Sequence, residues 1–169
     1  MVIGIQEAAA IVAVGAGILT AIKGIQEYRS SVAIRRAEWL YKFYHEFYVE
    51  PHLKEVRETL DSDKKTEIEH IIQKDERELT SSEDKLLTKF TDYLNFFEFM
   101  VYLRKIGALK KKDVEALFNY YLWRLSRSKP IMQYLPRAGY GYLFEYLESP
   151  EYRAMYFILE GPRRPVSKR

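Results

Sequence analysis

Three groups of residues in this chain have the types and spacing that chemistry needs. Glu67 and His70 form one Glu-x-x-His, which sets a carboxylate and an imidazole on one helical face. Di-iron bundles use that spacing, but they need two such motifs and two further Glu. His45 and His52 have Lys42 and Val49 three residues before them, so the set is incomplete and no metal is expected. Glu98 lies between Phe97 and Phe99, close to Asn95. Burying a carboxylate there is costly unless it is paired. Arg104 or Arg124 is the expected partner, in an ion pair or hydrogen bond that fixes helix register. A functional polar site between helices, built from Asn95, Glu98, Arg104 and Arg124, is the alternative. Third, Tyr120, Tyr121 and Trp123 mix with Arg124 and Arg127. Rings and guanidinium groups together can stack on single-stranded nucleic acid. On a helix these five point to different faces, and most are expected in the core.

The rest of the catalytic vocabulary is missing. There is no Gly-rich phosphate loop, no serine in an elbow context, and the three His are scattered. No catalytic residue and no cofactor is expected, and the chain reads as a non-enzyme. It has no cysteine, which excludes disulfides, thiol catalysis and Cys-ligated zinc. Asn and Gln number only two and four while Glu, Lys and Arg are plentiful, a bias shared with proteins of hot environments.

Charge is unevenly placed. Arg163, Arg164, Lys168 and Arg169 give residues 161–169 a charge of +4; taking this from the overall +3 leaves −1 for residues 1–160. A near-neutral body argues against a nucleic-acid-binding core, which needs a basic face. The tail and Lys110-Lys111-Lys112 are candidate contacts for anionic lipid or other anions, at ~1 kcal/mol per Lys or Arg near a charged leaflet.

The elements that must position these groups are helices. From Ala8 to Ile22 the chain is uncharged, and reaching back to Ile3 includes only Gln6 and Glu7 as strongly polar residues. About twenty helical residues span ~30 Å, the thickness of a bilayer core. Ala9, Ala13, Gly17 and Ala21 form a stripe of small residues four apart, a candidate helix-pairing surface in lipid. Lys23, Arg29, Arg35 and Arg36 follow, which by the positive-inside tendency puts the body in the cytoplasm. A cleaved signal peptide fits poorly, since no Lys or Arg precedes the run. The alternative is a buried core helix of a soluble protein.

Beyond it, Ala33 to Phe47 has helical spacing, with Ser30 and Ser31 either capping a new helix or lying within a continuous one. Pro51 suits a first helical turn, and the helix it opens ends near Asp61. Thr66 to Lys74 reads as a short charged helix. Ser81 with Asp84 sketches a capping box. The following helix, with Leu87, Phe90, Leu94, Phe97 and Val101 on one stripe, is broad enough in its apolar face to be central in a bundle. Gly107 stops it. Asp113 opens the next helix and Pro130 closes it; Tyr140 to Leu147 and Glu151 to Leu159 complete the pattern, the last behind Ser149-Pro150.

The order Leu94-Asn95-Phe96-Phe97-Glu98, Ile106-Gly107-Ala108-Leu109, an aromatic helix from Ala116 to Leu125, and Ser149-Pro150-Glu151-Tyr152 resembles a family of short prokaryotic helical proteins of unknown function, many of which begin with a membrane helix. The resemblance covers residues 1–160 and implies a membrane-anchored helical protein without implying an activity. The expectation is thus an all-α chain: an apolar anchor at 1–28, a bundle of about six helices at 29–160 and a basic tail at 161–169. The expected function is a single-pass, cytoplasm-facing interaction or scaffold module that binds a protein partner or itself. The alternatives are a soluble, basic-tailed nucleic-acid binder and an enzyme centred on Glu98.

Overall fold

The computed structural model describes the backbone of residues 5–62 and 64–154, and side chains from Gly17 onward. The described chain is helical with no strand. It divides into two units, one up to Phe43 and one from Tyr44 on.

The first unit is α1 as far as Phe43; the helix itself runs Ile5–Val49. It continues straight through Ser30 and Ser31, and Ser31 Oγ donates to the Tyr28 carbonyl at 2.8 Å, turning a capping residue into a local back-bond within the helix. From Gly17 to Lys42 only Ser31, Arg36 and Leu40 are even half-buried. Among the described residues no helix is long and apolar enough to cross a membrane. The expected span, residues 3–22, lies mostly outside the residues whose side chains are described; after Ile22 the helix runs on through Lys23, Glu27 and Arg29. The side chains of residues 5–16, Ala9 and Ala13 among them, lie outside the described residues.

The second unit is a helical bundle: α2 (Pro51–Asp61), α3 (Lys65–Ile71), a 3-10 turn (Glu76–Glu78), α4 (Ser81–Lys105), α5 (Lys111–Ser126), α6 (Lys129–Arg137) and α7 (Gly141–Glu148), with residues 150–154 helical after it. As its apolar breadth requires, α4 is central, packing against α2, α3, α5 and α7. The last turn of α1 plants Phe47 in this core. Its ring stacks on Phe96 at 5.2 Å and meets Phe97, Phe118 and Tyr121 edge-on at 5.5, 5.2 and 4.7 Å. Such pairs add ~0.5–1.5 kcal/mol each beyond the area they bury.

Several boundaries differ from the sequence reading. The capping box belongs to Thr80 and Glu83, one residue earlier than expected, with Glu83 also accepting from the Thr80 N–H at 2.9 Å. Lys111 opens α5, and Asp113 instead accepts the Lys110 N–H at 3.1 Å. Pro130 does not close α5, which ends at Ser126; it sits in the first turn of α6, where its missing N–H costs nothing. Gly107 ends α4 as expected, at φ 78°.

Candidate functional site

The residues singled out as a polar core site lie in three places. Glu98 meets no arginine. Its two oxygens accept the backbone N–H groups of Tyr142 and Leu143 at 3.0 and 2.7 Å. These are the first turn of α7, whose own N-cap residue, Tyr140, offers no side-chain cap. A carboxylate at a helix N-terminus satisfies orphan donors and favours the dipole. Arg104 lies over the Tyr146 ring at 4.7 Å and 3.5 Å from Glu151. Arg124 donates to the Leu60 carbonyl and stands 3.2 Å from Asp61, closing the C-terminus of α2. Asn95 is exposed.

The sequence reading missed Arg57, a buried arginine at 7% exposure. It donates to the carbonyls of Phe47 and Tyr48, where α1 ends without a basic residue in its last turn. Its guanidinium sits 4.6 Å from the Phe47 ring centroid and 4.9 Å from that of Tyr48. The same packing pushes the Tyr48 hydroxyl up to about 12, through burial first and then its neighbour Tyr121. A signal was present: Leu53, Arg57 and Leu60 share one helical face, so a charge stands inside an apolar stripe.

Ser128 completes the pattern. Its Oγ accepts the Ile131 N–H at 3.3 Å, capping α6, and donates to Glu69 at 2.6 Å; Lys65 pairs with the same carboxylate at 3.0 Å. Burial acts to raise the Glu69 pKa, but the bonds from Ser128 and Lys65 outweigh it and hold the carboxyl below its ordinary value. Its neighbours Glu67 and His70 are exposed, and among the described residues no group of three or more His, Asp or Glu could hold a metal ion.

On α5 and at its C-terminal end the expectation that most of these five groups lie in the core is not met: Tyr120 and Arg127 are exposed, and Tyr121, Trp123 and Arg124 are only half-buried. Tyr121 turns inward to Phe47, but Tyr120, Trp123 and Arg127 share an outer face. The rings of Tyr120 and Trp123 lie 6.0 Å apart at 34°, and the Arg127 guanidinium is 5.8 Å from the Trp123 centroid. Tyr120 also donates to Asp61 at 2.8 Å. Lys111 pairs with Glu115 and Glu151 at 3.6 Å each. An open groove of ≈ 570 Å³ runs between α2, α3 and α4, lined by Glu55, Glu58, Glu67, Lys64, Lys85 and Lys89. Three acids face three lysines there, so it favours neither anion nor cation. The basic tail residues Arg163, Arg164, Lys168 and Arg169 lie outside the described residues.

What remains as a surface is α1. Ile18, Leu19 and Ile25 are 55%, 69% and 54% exposed, and Ile22, Tyr28, Val32 and Ile34 are exposed with them. Gly17 and Ala21 of the small-residue stripe lie among them, also exposed. No scanned family model, curated protein or solved structure matches the chain.

Proposed function

We propose that this chain is a non-enzymatic helical interaction module, tethered to a membrane through its N-terminal segment and presenting the bundle to the cytoplasm. The observation that carries the reading is the exposure of Ile18, Leu19, Ile22 and Ile25 on one unbroken helix. Contiguous exposed apolar surface marks a binding or membrane-facing region. The uncharged stretch from Ala8 to Ile22 and the basic residues Lys23, Arg29, Arg35 and Arg36 after it support lipid as the first contact and the cytoplasm as the side of the body. In the bundle, the buried Arg57 and the half-buried Glu98 and Arg124 serve helix ends, which favours a scaffold over a reaction site. Fractionation tests this. The full chain is expected to remain in membranes washed with alkaline carbonate, and Leu19→Arg combined with Ile22→Arg is expected to release a folded protein. Full-length chain in the soluble fraction throughout would end the reading.

A second reading has one observation in its favour. The ladder of Tyr120, Trp123 and Arg127 on the outer face of α5 has the composition of a stacking platform for single-stranded nucleic acid. It predicts salt-sensitive binding of an oligonucleotide that Trp123→Ala weakens by tenfold or more. Binding unchanged by that variant would remove it.

A further inference from the structure

A membrane tether leaves part of α1 uncovered. Ile18, Ile25, Val32 and Trp39 follow one another at seven-residue intervals, and Ala21, Tyr28, Arg35 and Lys42 stand three residues after them. A strict seven-residue repeat keeps one seam of a helix facing a partner helix. The repeat does not stop where lipid contact must. A bilayer holding residues 8–22 ends at the first charges, yet Ile25 and Val32 lie beyond Lys23 and are 54% and 42% exposed. They sit in residues 23–42, which carry five Lys or Arg and two Glu and extend for about 30 Å. Hydrocarbon does not cover such a stretch; another helix with the same repeat does.

We propose that α1 pairs with α1 of a second copy of this chain, parallel and in register. This inference rests on the reading of α1 as the docking element and names what covers its water-side half. Ile18, Ile25 and Val32 place in the first seam column the β-branched residues that two parallel strands use there, while the second column carries Ala21 and Tyr28 in place of Leu. Gly24 flanks Ile25, and a side-chain carbon added there would meet nothing within 4 Å, so the backbone beside the seam is open to a close neighbour. Pairing over residues 17–42 covers about 40 Å of helix. It buries on the order of 1,000 Å² in total, the lower edge of what a specific interface needs. Confinement of both copies to one membrane raises their effective concentration and offsets that small area. Arg35 and Lys42 stand in the second seam column opposite their own counterparts, a cost in stability that polar seam residues trade for fixed register.

Because the chain has no cysteine, one introduced thiol reports the geometry. Ile25→Cys and, separately, Ser30→Cys in the full chain are oxidised mildly in membranes of the producing cells. Seam positions of a parallel pair fall within the ~4.4–6.8 Å between Cα atoms that a disulfide needs, and Ser30 lies on the opposite face. The expected result is a covalent dimer for Ile25→Cys, repeated for Val32→Cys, and a monomer for Ser30→Cys. Adding Arg35→Leu to Ile25→Cys is expected to raise the cross-linked fraction several-fold. Equal cross-linking at residues 25 and 30, none at 25 and 32, or a fall with Arg35→Leu (the sign of a lipid headgroup contact) would each overturn the pairing. Carbonate washing of the same membranes reads the tether separately. Chain retained but not cross-linked leaves the tether standing without the pairing, and chain cross-linked but washed away does the reverse.

Discussion

One helix carries two regions with the same kind of side chain and opposite surroundings. Ile18, in the first unit, is 55% exposed, while Phe47, at the other end of α1 and in the second unit, is fully buried. Apolar content alone does not distinguish them, since the stretch around Ile18 is rich in Ile, Val and Ala and the stretch around Phe47 in aromatic rings. What differs is what else the surrounding sequence supplies. Around Phe47 the chain provides rings from α4 and α5 and a guanidinium from α2. Around Ile18 the described chain provides only the next turn of the same helix. Packing is thus completed within the second unit, while the described apolar side chains of the first are mostly exposed, and the two are expected to respond differently to the same deletion.

The largest effect expected is the loss of Phe47. Phe47→Ala removes a fully buried ring with six aromatic neighbours and is expected to lower bundle stability by about 3–5 kcal/mol. Ile25→Ala on the exposed stretch is expected to leave the bundle's unfolding midpoint within about 0.5 kcal/mol of the parent. Urea denaturation followed by near-ultraviolet circular dichroism, which reads the packed rings, separates the two. A comparable loss in both variants would mean that the exposed stretch is part of the core after all.

Polar groups divide the regions as sharply as apolar ones. In the second unit Glu98, Arg57, Arg124 and Ser128 each close a helix end, two of them on an element far along the chain: Glu98 to Leu143 spans 45 residues and Arg124 to Leu60 spans 64. Glu98→Ala leaves two N–H groups of α7 without their acceptor and is expected to cost about 1–2 kcal/mol. Glu98→Gln keeps one acceptor oxygen and is expected to cost less than half as much. The ratio of the two, measured by thermal unfolding, sharpens the assignment. Equal losses would mean that charge, rather than hydrogen bonding, holds α7 in place.

This division also explains how much was legible beforehand. The helices were, because the spacing of Leu87, Phe90, Leu94 and Phe97 in α4 is a local property of the chain. The partners of Glu98 and Arg124 were not, because neither lies within a turn of the residue it caps and no spacing rule joins α4 to α7. The half-buried charges Lys111 and Glu115 stand at the local i,i+4 spacing, whereas Arg57, a charge out of place in an apolar stripe, was missed. Pro130 shows a different limit. Proline stops one helix and starts another by the same missing N–H, and only the Ser128 hydroxyl bonded to Ile131 settles which. The Thr80 cap was displaced by one residue because Thr80, Ser81 and Ser82 precede Glu83 and Asp84, and two capping frames fit the same letters.

The smallest effect tests a helix end that is exposed. Glu83 is held down to about 2 by the Lys74 ammonium at 2.6 Å and by the backbone and hydroxyl of Thr80. Its folded pKa lies below the ordinary carboxylate value of 4.5, so its stabilisation is present above pH 4.5 and fades as pH falls toward 2. The parent is expected to be more stable than Glu83→Gln at pH 6, and the two curves are expected to converge as pH approaches 2. The group is at the surface, so salt is expected to narrow the gap at pH 6. A gap that persists unchanged at pH 2 would assign the effect to the neutral hydrogen bonds of the capping box. The cap of α4 would then behave like the neutral, buried Ser128 hydroxyl that caps α6, held by geometry with the charge incidental.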